Sequence, residues 1–289
     1  MNSLKIFAFS DEAGEELSAQ VRALKRNGLC GPELRGVDGT NIADISLEKA
    51  REIRRLLDGE GLNVFSIGSP IGKMNEAKED LASHLDKFRR VLDIAGETGA
   101  ACIRLFSFYV PKGICPEVFR EEAFDRFGKL VELAEGYPVT LCHENEKGIY
   151  GDNAARCLDL LQNFPVVKAV FDPANFVQCG QETLEAWELL KPYVRYMHIK
   201  DALAGGFVVP AGAGIGHVPE IVRDFIRGGG NVFSIEPHLK VFNGFGMLER
   251  PGEGKRPPVD QSWPDQDSAF DAACTAFRRI LADFEEEKQ

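Results

Sequence analysis

Eight short strand-like runs alternate with longer helical stretches along this chain, and that rhythm leaves few folds open. The runs cover residues 4–9, 32–34, 63–67, 101–106, 139–142, 167–171, 194–199 and 231–235. Between them apolar residues recur every three to four positions, as in LASHLDKFRRVLDIAGET at 81–98, the mark of a helix with one buried face. Ser46-Leu47-Glu48 reads as a helix start, and Gly59-Glu60-Gly61 as the turn that ends that helix before the third strand. Such alternation implies a parallel sheet, and eight units suggest closure into a (β/α)8 TIM barrel, a single domain spanning residues 1–289. An open doubly wound sheet is the alternative. It would want GxGxxG after the first strand, and FSDEAGEE is not one.

Four ligand-type side chains close four successive runs: Glu144 in PVTLCHENE, Asp172 in VKAVFDPANF, His198 in VRYMHIKD and Glu236 in NVFSIEPH. Their separations of 28, 26 and 38 residues each span about one strand-helix-strand repeat. In a parallel barrel every strand's C-terminal end opens onto one mouth. A carboxylate there is costly unless paired or metal-bound. One would cap a helix or pair with a lysine; four together predict a metal site made of three carboxylates and an imidazole. That set suits Mn²⁺, Mg²⁺, Co²⁺ or Zn²⁺, and its oxygen-rich character favours Mn²⁺.

A divalent ion at such a mouth polarises a substrate carbonyl and acidifies the neighbouring C–H. Loss of that proton gives a cis-enediolate. Reprotonation at the other carbon isomerises a hydroxycarbonyl compound, and reprotonation from the opposite face epimerises it. Epimerisation needs bases on both sides of the substrate plane. Glu144 and Glu236 are the expected pair, each ligating through one oxygen and exchanging protons through the other.

Lys73 at the end of the third run, Asn175, Lys200 and His238 are the candidate substrate contacts. His143 should point away from the barrel interior by strand alternation. Glu146 and Lys147 lie in a loop facing substrate or solvent. Glu33 and Arg35 flank the second run as an expected ion pair, and Arg104 is a partner for such a carboxylate. Asp201 is expected to orient a ligand or cap the next helix. His84 and His217 read as surface residues. Cys102, Cys142 and Cys157 lie in apolar segments and read as core thiols; the odd count of seven cysteines and the lack of CxxC fit a reducing compartment.

Two segments break the rhythm. Residues 205–218 are glycine-rich; GAGIG at 212–216 lacks the lysine of a nucleotide-binding loop. Residues 240–267, with Phe242, Phe245, Met247 and Trp263, are too long for a connector and read as a lid packed over the mouth. A net charge of −11 opposes a nucleic-acid footprint. The first residues lack a basic, then apolar, secretory leader, and no apolar stretch nears the ~20 residues of a membrane helix. A cytoplasmic protein with no membrane partner is expected.

The phrases ELRGVDGTNI, SIGSPIGK, HENEKGIYGD, FDPANF, HIKDA and IEPH resemble the sugar phosphate isomerase/epimerase family of xylose-isomerase-like barrels, over nearly the whole chain. The resemblance implies that fold and a metal held by Glu, Asp, His and Glu at strands five to eight, which map onto Glu144, Asp172, His198 and Glu236. It implies a small carbohydrate as substrate, a keto-sugar or related polyol, and a homodimer or homotetramer. It also carries a lyase alternative, a dehydratase of a keto-sugar or inosose through the same enolate. Members that are ketose 3-epimerases usually have histidine where Asn175 stands and an arginine soon after His198, where Ala204 and two glycines follow. The related apurinic endonucleases use three zinc ions, many histidines and a basic groove. Five histidines, with only His198 in a ligand slot, do not fit that. A non-catalytic sugar-binding subunit would not need the complete ligand set.

Overall fold

A computed structural model describes residues 3–74, 79–242 and 263–286. Eight parallel strands close into a barrel: β1 (Lys5–Ala8), β2 (Gly31–Leu34), β5 (Ser66–Gly68), β6 (Cys102–Leu105), β7 (Thr140–Glu144), β8 (Lys168–Phe171), β9 (Val194–Ile199) and β12 (Val232–Ile235). Neighbours follow chain order, and β1 pairs with β12 to seal the ring. Each predicted run corresponds to one of these strands. The 63–67 run yields only Ser66–Gly68, whose ladder to β2 starts with Ser66 opposite Glu33.

Helices α1 (Leu17–Arg26), α2 (Leu47–Gly59), α3 (Leu81–Thr98), α4 (Pro116–Leu133), α5 (Ala154–Asn163), α6 (Pro173–Gln178), α7 (Thr183–Leu190), α8 (Val218–Arg227) and α9 (Gln266–Glu286) coat the barrel. Ser46 caps α2 by accepting from the Lys49 N–H, as the sequence suggested. Two small hairpins were not foreseen, β3–β4 (Gly36–Val37, Thr40–Asn41) and β10–β11 (Asp201–Ala202, Val208–Val209). Both sit just past strand ends, where two-residue pairings are too short for a hydrophobic period to register. No helix among the described residues is long and apolar enough to cross a membrane.

Apolar side chains divide between two cores. The larger lies between sheet and helices. The smaller lies inside the barrel and includes Phe7, Cys102, Cys142, Val170, Tyr196 and Val232. Strand side chains alternate faces, so a residue two positions beyond an inner one is inner again. From Cys142 the next inner residue is Glu144, from Val170 Asp172, from Tyr196 His198, and from Val232 Ser234 and then Glu236. The ligand-type residues are therefore the top layer of the interior.

Candidate metal centre

The four predicted donors converge. One atom from each of Glu144, Asp172, His198 and Glu236 lies within 4.8 Å of the others, and all four residues are buried. His198 Nδ1 stands 3.0 Å from Glu144 Oε1, 3.5 Å from Glu236 Oε2 and 3.8 Å from Asp172 Oδ2. Donors bound to one ion at 2.0–2.2 Å are themselves separated by about 3.0–3.5 Å, so this spacing suits a shared ion after small adjustment. Asp172 Oδ2 is buried without an aligned hydrogen bond, its nearest cation being Lys200 Nζ at 2.9 Å.

The charges point the same way. Glu12, Glu33, Glu144, Asp172 and Glu236 are buried around this centre, and among the described residues Arg35, Arg104 and Lys200 are the buried arginines and lysine beside them. Asp11 adds a further carboxylate at the rim. Such a concentration of carboxylates fits a divalent cation. Without it, burial pushes Asp172 upward, Lys200 offsetting only part. Burial likewise opposes ionisation of Glu144, but His198 and Arg104 outweigh it and hold that carboxyl far below the usual range. Glu236 is also held low, Lys200 and His238 overcoming its burial. Burial pulls His198 down, yet Glu144 and Glu33 more than reverse this and raise it well above an ordinary imidazole. The donor set therefore fits a divalent ion.

A supporting layer orients the donors. Glu33 Oε2 lies 3.2 Å from His198 Nε2, and its Oε1 accepts from Tyr196 O–H at 2.7 Å. A proton on Nε2 pointing at Glu33 leaves Nδ1 to face the centre. Arg104 Nη1 donates to Glu144 Oε2 at 2.5 Å, and Arg35 Nη1 to Glu236 Oε1 at 3.2 Å. Arg35 is in turn held by Asp11 and Glu12. Burial pushes Glu12 up to about 7, Arg35 offsetting only part of the effect.

The candidate substrate residues fall as follows. Asn175 is buried; its amide donates to Glu144 Oε1 at 3.1 Å and its backbone N–H to Asp172 Oδ1 at 2.9 Å, so it steadies both carboxylates. Lys200 Nζ reaches Glu236 Oε2 at 2.7 Å and lies 3.4 Å from His238 Nδ1. The His238 backbone N–H donates to Glu12 Oε2 at 2.6 Å, and its ring stacks on Phe242. Lys73 bonds Glu146 at 2.6 Å over the face of Phe106. A cavity of about 210 Å³ opens beside the centre between Asp11, Arg35, Lys73, Arg104, Phe106 and Phe242.

Some expectations need correction. His84 is not a surface residue: it is buried and its Nε2 accepts from the Gly72 N–H at 2.9 Å, fastening the loop that carries Lys73. Helix α3 presents it on the same face as Phe88 and Val91, a periodicity that would have placed it inward. Asp201 neither orients a donor nor caps a helix. Its carboxylate gathers the N–H groups of Ala202, Gly212, Gly214 and Gly216, and a Cβ on Gly214 would come within 2.3 Å of it. The glycine run exists to wrap that carboxylate. His143 points outward, bonded to Ser107, and His217 is exposed, both as expected. Of the expected lid, Phe242 is buried against Arg35 and Trp263 packs on the core, while Phe245 and Met247 lie outside the described residues.

Sequence reading passed over Asp11, Glu12 and Phe9, which follow β1. The signal was available: Phe7 is an inner residue, so Phe9 two positions on is inner too. The turn at Ser10–Glu12 then aims both acids at Arg35.

Comparison with known proteins agrees with this architecture. No curated protein matches the sequence. Among solved structures, the IOLI protein with a bound zinc atom superposes with a TM-score of 0.72 at 14% identity, covering 97% of this chain and 99% of that one. A D-tagatose 3-epimerase-like protein gives 0.73 at 15% identity, covering 99% and 100%. The probable 3-DHS dehydratase AsbF of Bacillus anthracis gives 0.71 at 16% identity, covering 96% and 98%. The family model described as xylose isomerase-like TIM barrel matches residues 21–254, most of the chain, and the protein belongs to that family.

Proposed function

We propose that this protein is a metal-dependent isomerase or epimerase of a small carbohydrate, a keto-sugar or related polyol, working through a cis-enediolate. The observation that carries this reading is the convergence of Glu144, Asp172, His198 and Glu236 at the barrel mouth. One divalent ion, manganese first among the candidates, would be held by these four residues and would supply Lewis acidity at a carbonyl and its neighbouring hydroxyl.

The chain's own groups do the rest. Glu144 and Glu236 reach the centre from β7 and from the end of β12, strands separated by β8 and β9, and so flank a substrate from two sides. Both are held ionised, Glu144 by His198 and Arg104 and Glu236 by Lys200 and His238, and are therefore in the form that accepts a proton. Their low basicity suits only a strongly acidified C–H. Lys200, beside Glu236 and His238, offers ammonium protons to a substrate oxygen. Phe106 and Phe242 add apolar lining to the adjoining cavity, beside Arg35, Lys73 and Arg104.

Elimination of water is the second reading, and Lys200 favours it: its ammonium, beside Glu236 and His238, is a proton donor distinct from the two glutamates, as a departing hydroxide requires. The AsbF likeness is consistent with it. Incubating the metal-loaded protein with neutral ketoses and inososes in D₂O tests both readings. Deuterium in recovered substrate or isomer supports enolisation, and a product lacking water selects the lyase. No exchange into any compound, with metal bound, would refute the enolisation mechanism.

A further inference from the structure

Both glutamate ligands divide their oxygens in the same way. Glu144 turns Oε1 toward His198 Nδ1 and gives Oε2 to Arg104; Glu236 turns Oε2 toward His198 and gives Oε1 to Arg35. The two guanidiniums share one wall. Arg35 lies 4.3 Å and Arg104 5.5 Å from the centre of the buried Phe9 ring. Each also has a second ring, Phe242 for Arg35 at 4.7 Å and Phe106 for Arg104 at 4.5 Å. Arg35 is further fixed by Asp11 and Glu12, whereas Arg104 Nε has no acceptor among the described residues. Glu144 and the two rings therefore set the direction of Arg104. Space for this packing depends on Gly68, where a Cβ would come within 2.5 Å of the Phe9 ring and 3.4 Å of Arg104 Nη2.

We infer that Arg104 and Arg35 are positioning residues that confine Glu144 and Glu236 to one-oxygen ligation, with Phe9 keeping each guanidinium on its own carboxylate. This rests on the metal-site reading above. A free carboxylate can bind an ion through both oxygens. Four single-atom donors leave about two positions open on a six-coordinate ion, enough for a carbonyl and its adjacent hydroxyl. If both glutamates chelated, those positions would be filled by the protein and the substrate excluded. The guanidinium fork, planar and directional, is suited to hold one oxygen aside.

The test uses Mn²⁺ as the probe and counts the water molecules it carries, from water-proton relaxation of the loaded protein, without turnover. Arg104→Met and Arg35→Met should each lower relaxivity per bound ion by about half, as one glutamate closes onto the ion. Arg104→Lys, which keeps the charge but lacks the planar fork, should lower it as well. Gly68→Ala, which displaces Phe9 and Arg104 without changing any charge, should shift it in the same direction and serves if an arginine variant fails to fold. Bound Mn²⁺ with relaxivity equal to the parent protein in all the folded variants would overturn this inference alone. Failure of the unaltered protein to take up Mn²⁺ would overturn the metal reading and this inference with it.

Discussion

Replacing Glu33 by Gln should weaken metal binding about 10–100-fold, the usual cost of losing a carboxylate that orients a ligating histidine. This is about 1.4–2.7 kcal/mol. The reasoning begins with the fully buried pair of Glu33 Oε2 and His198 Nε2 at 3.2 Å. The carboxylate accepts from the ring and from Tyr196 O–H at once. A glutamine has one acceptor oxygen for these two donors and carries no charge to strengthen Nδ1 as a ligand. When its amide nitrogen faces Nε2, the ring proton is driven toward Nδ1, the atom that should face the ion. Metal affinity by isothermal titration measures the loss, with thermal unfolding as a check on the fold. Glu33→Asp separates charge from reach, because it keeps the charge and shortens the arm; it should also lose affinity. Binding by Glu33→Gln within twofold of the parent would show that the histidine is not oriented through this contact.

Metal uptake should release a proton, since His198 in the metal-free protein is raised well above the ordinary imidazole value; affinity should then rise with pH by up to about tenfold per unit through neutrality, and titration heats that ignore buffer ionisation enthalpy would contradict this. Glu12 keeps a proton in the folded protein up to about 7, whereas its ordinary value is 4.5. The unfolded chain therefore binds fewer protons in that window, and this group's contribution to stability should fall as pH rises from 4.5 to 7 and level off above; Glu12→Gln should flatten that slope in denaturant titrations. Gly72→Ala should destabilise by about 2–4 kcal/mol, because Gly72 has φ +89° and a Cβ there would lie 2.0 Å from the Phe106 carbonyl oxygen. A midpoint shift corresponding to under about 1 kcal/mol would mean the loop relaxes freely.

The barrel and the four donors were legible because each rests on a local regularity. Strand runs recur at a fixed rhythm, and a ligand-type residue ends each of the last four. Arg104 and Glu33 were visible as residue types but not as contacts, since their partners come from other strands: Glu144 lies 40 residues from Arg104, and His198 165 residues from Glu33. Carrying the two-residue alternation inward from Cys102 would have placed Arg104 in the interior. Asp201 was misjudged because a helix cap and a carboxylate wrapped by backbone N–H groups present the same aspartate beside the same glycines. Only the fold of residues 210–217 distinguishes them. His84 was missed through its charge-bearing type, although its helical spacing with Phe88 and Val91 marks it as buried.

The most direct measurement is solvent proton exchange into a responsive keto-sugar or inosose, followed in D₂O while the metal-stripped protein is titrated with Mn²⁺. Exchange should rise in proportion to bound ion and saturate at one ion per chain, and Asp172→Asn should show neither tight binding nor exchange at that loading. Exchange that persists in the stripped protein, or an ion bound equally well by Asp172→Asn, would contradict the assignment of these four residues as the working metal centre.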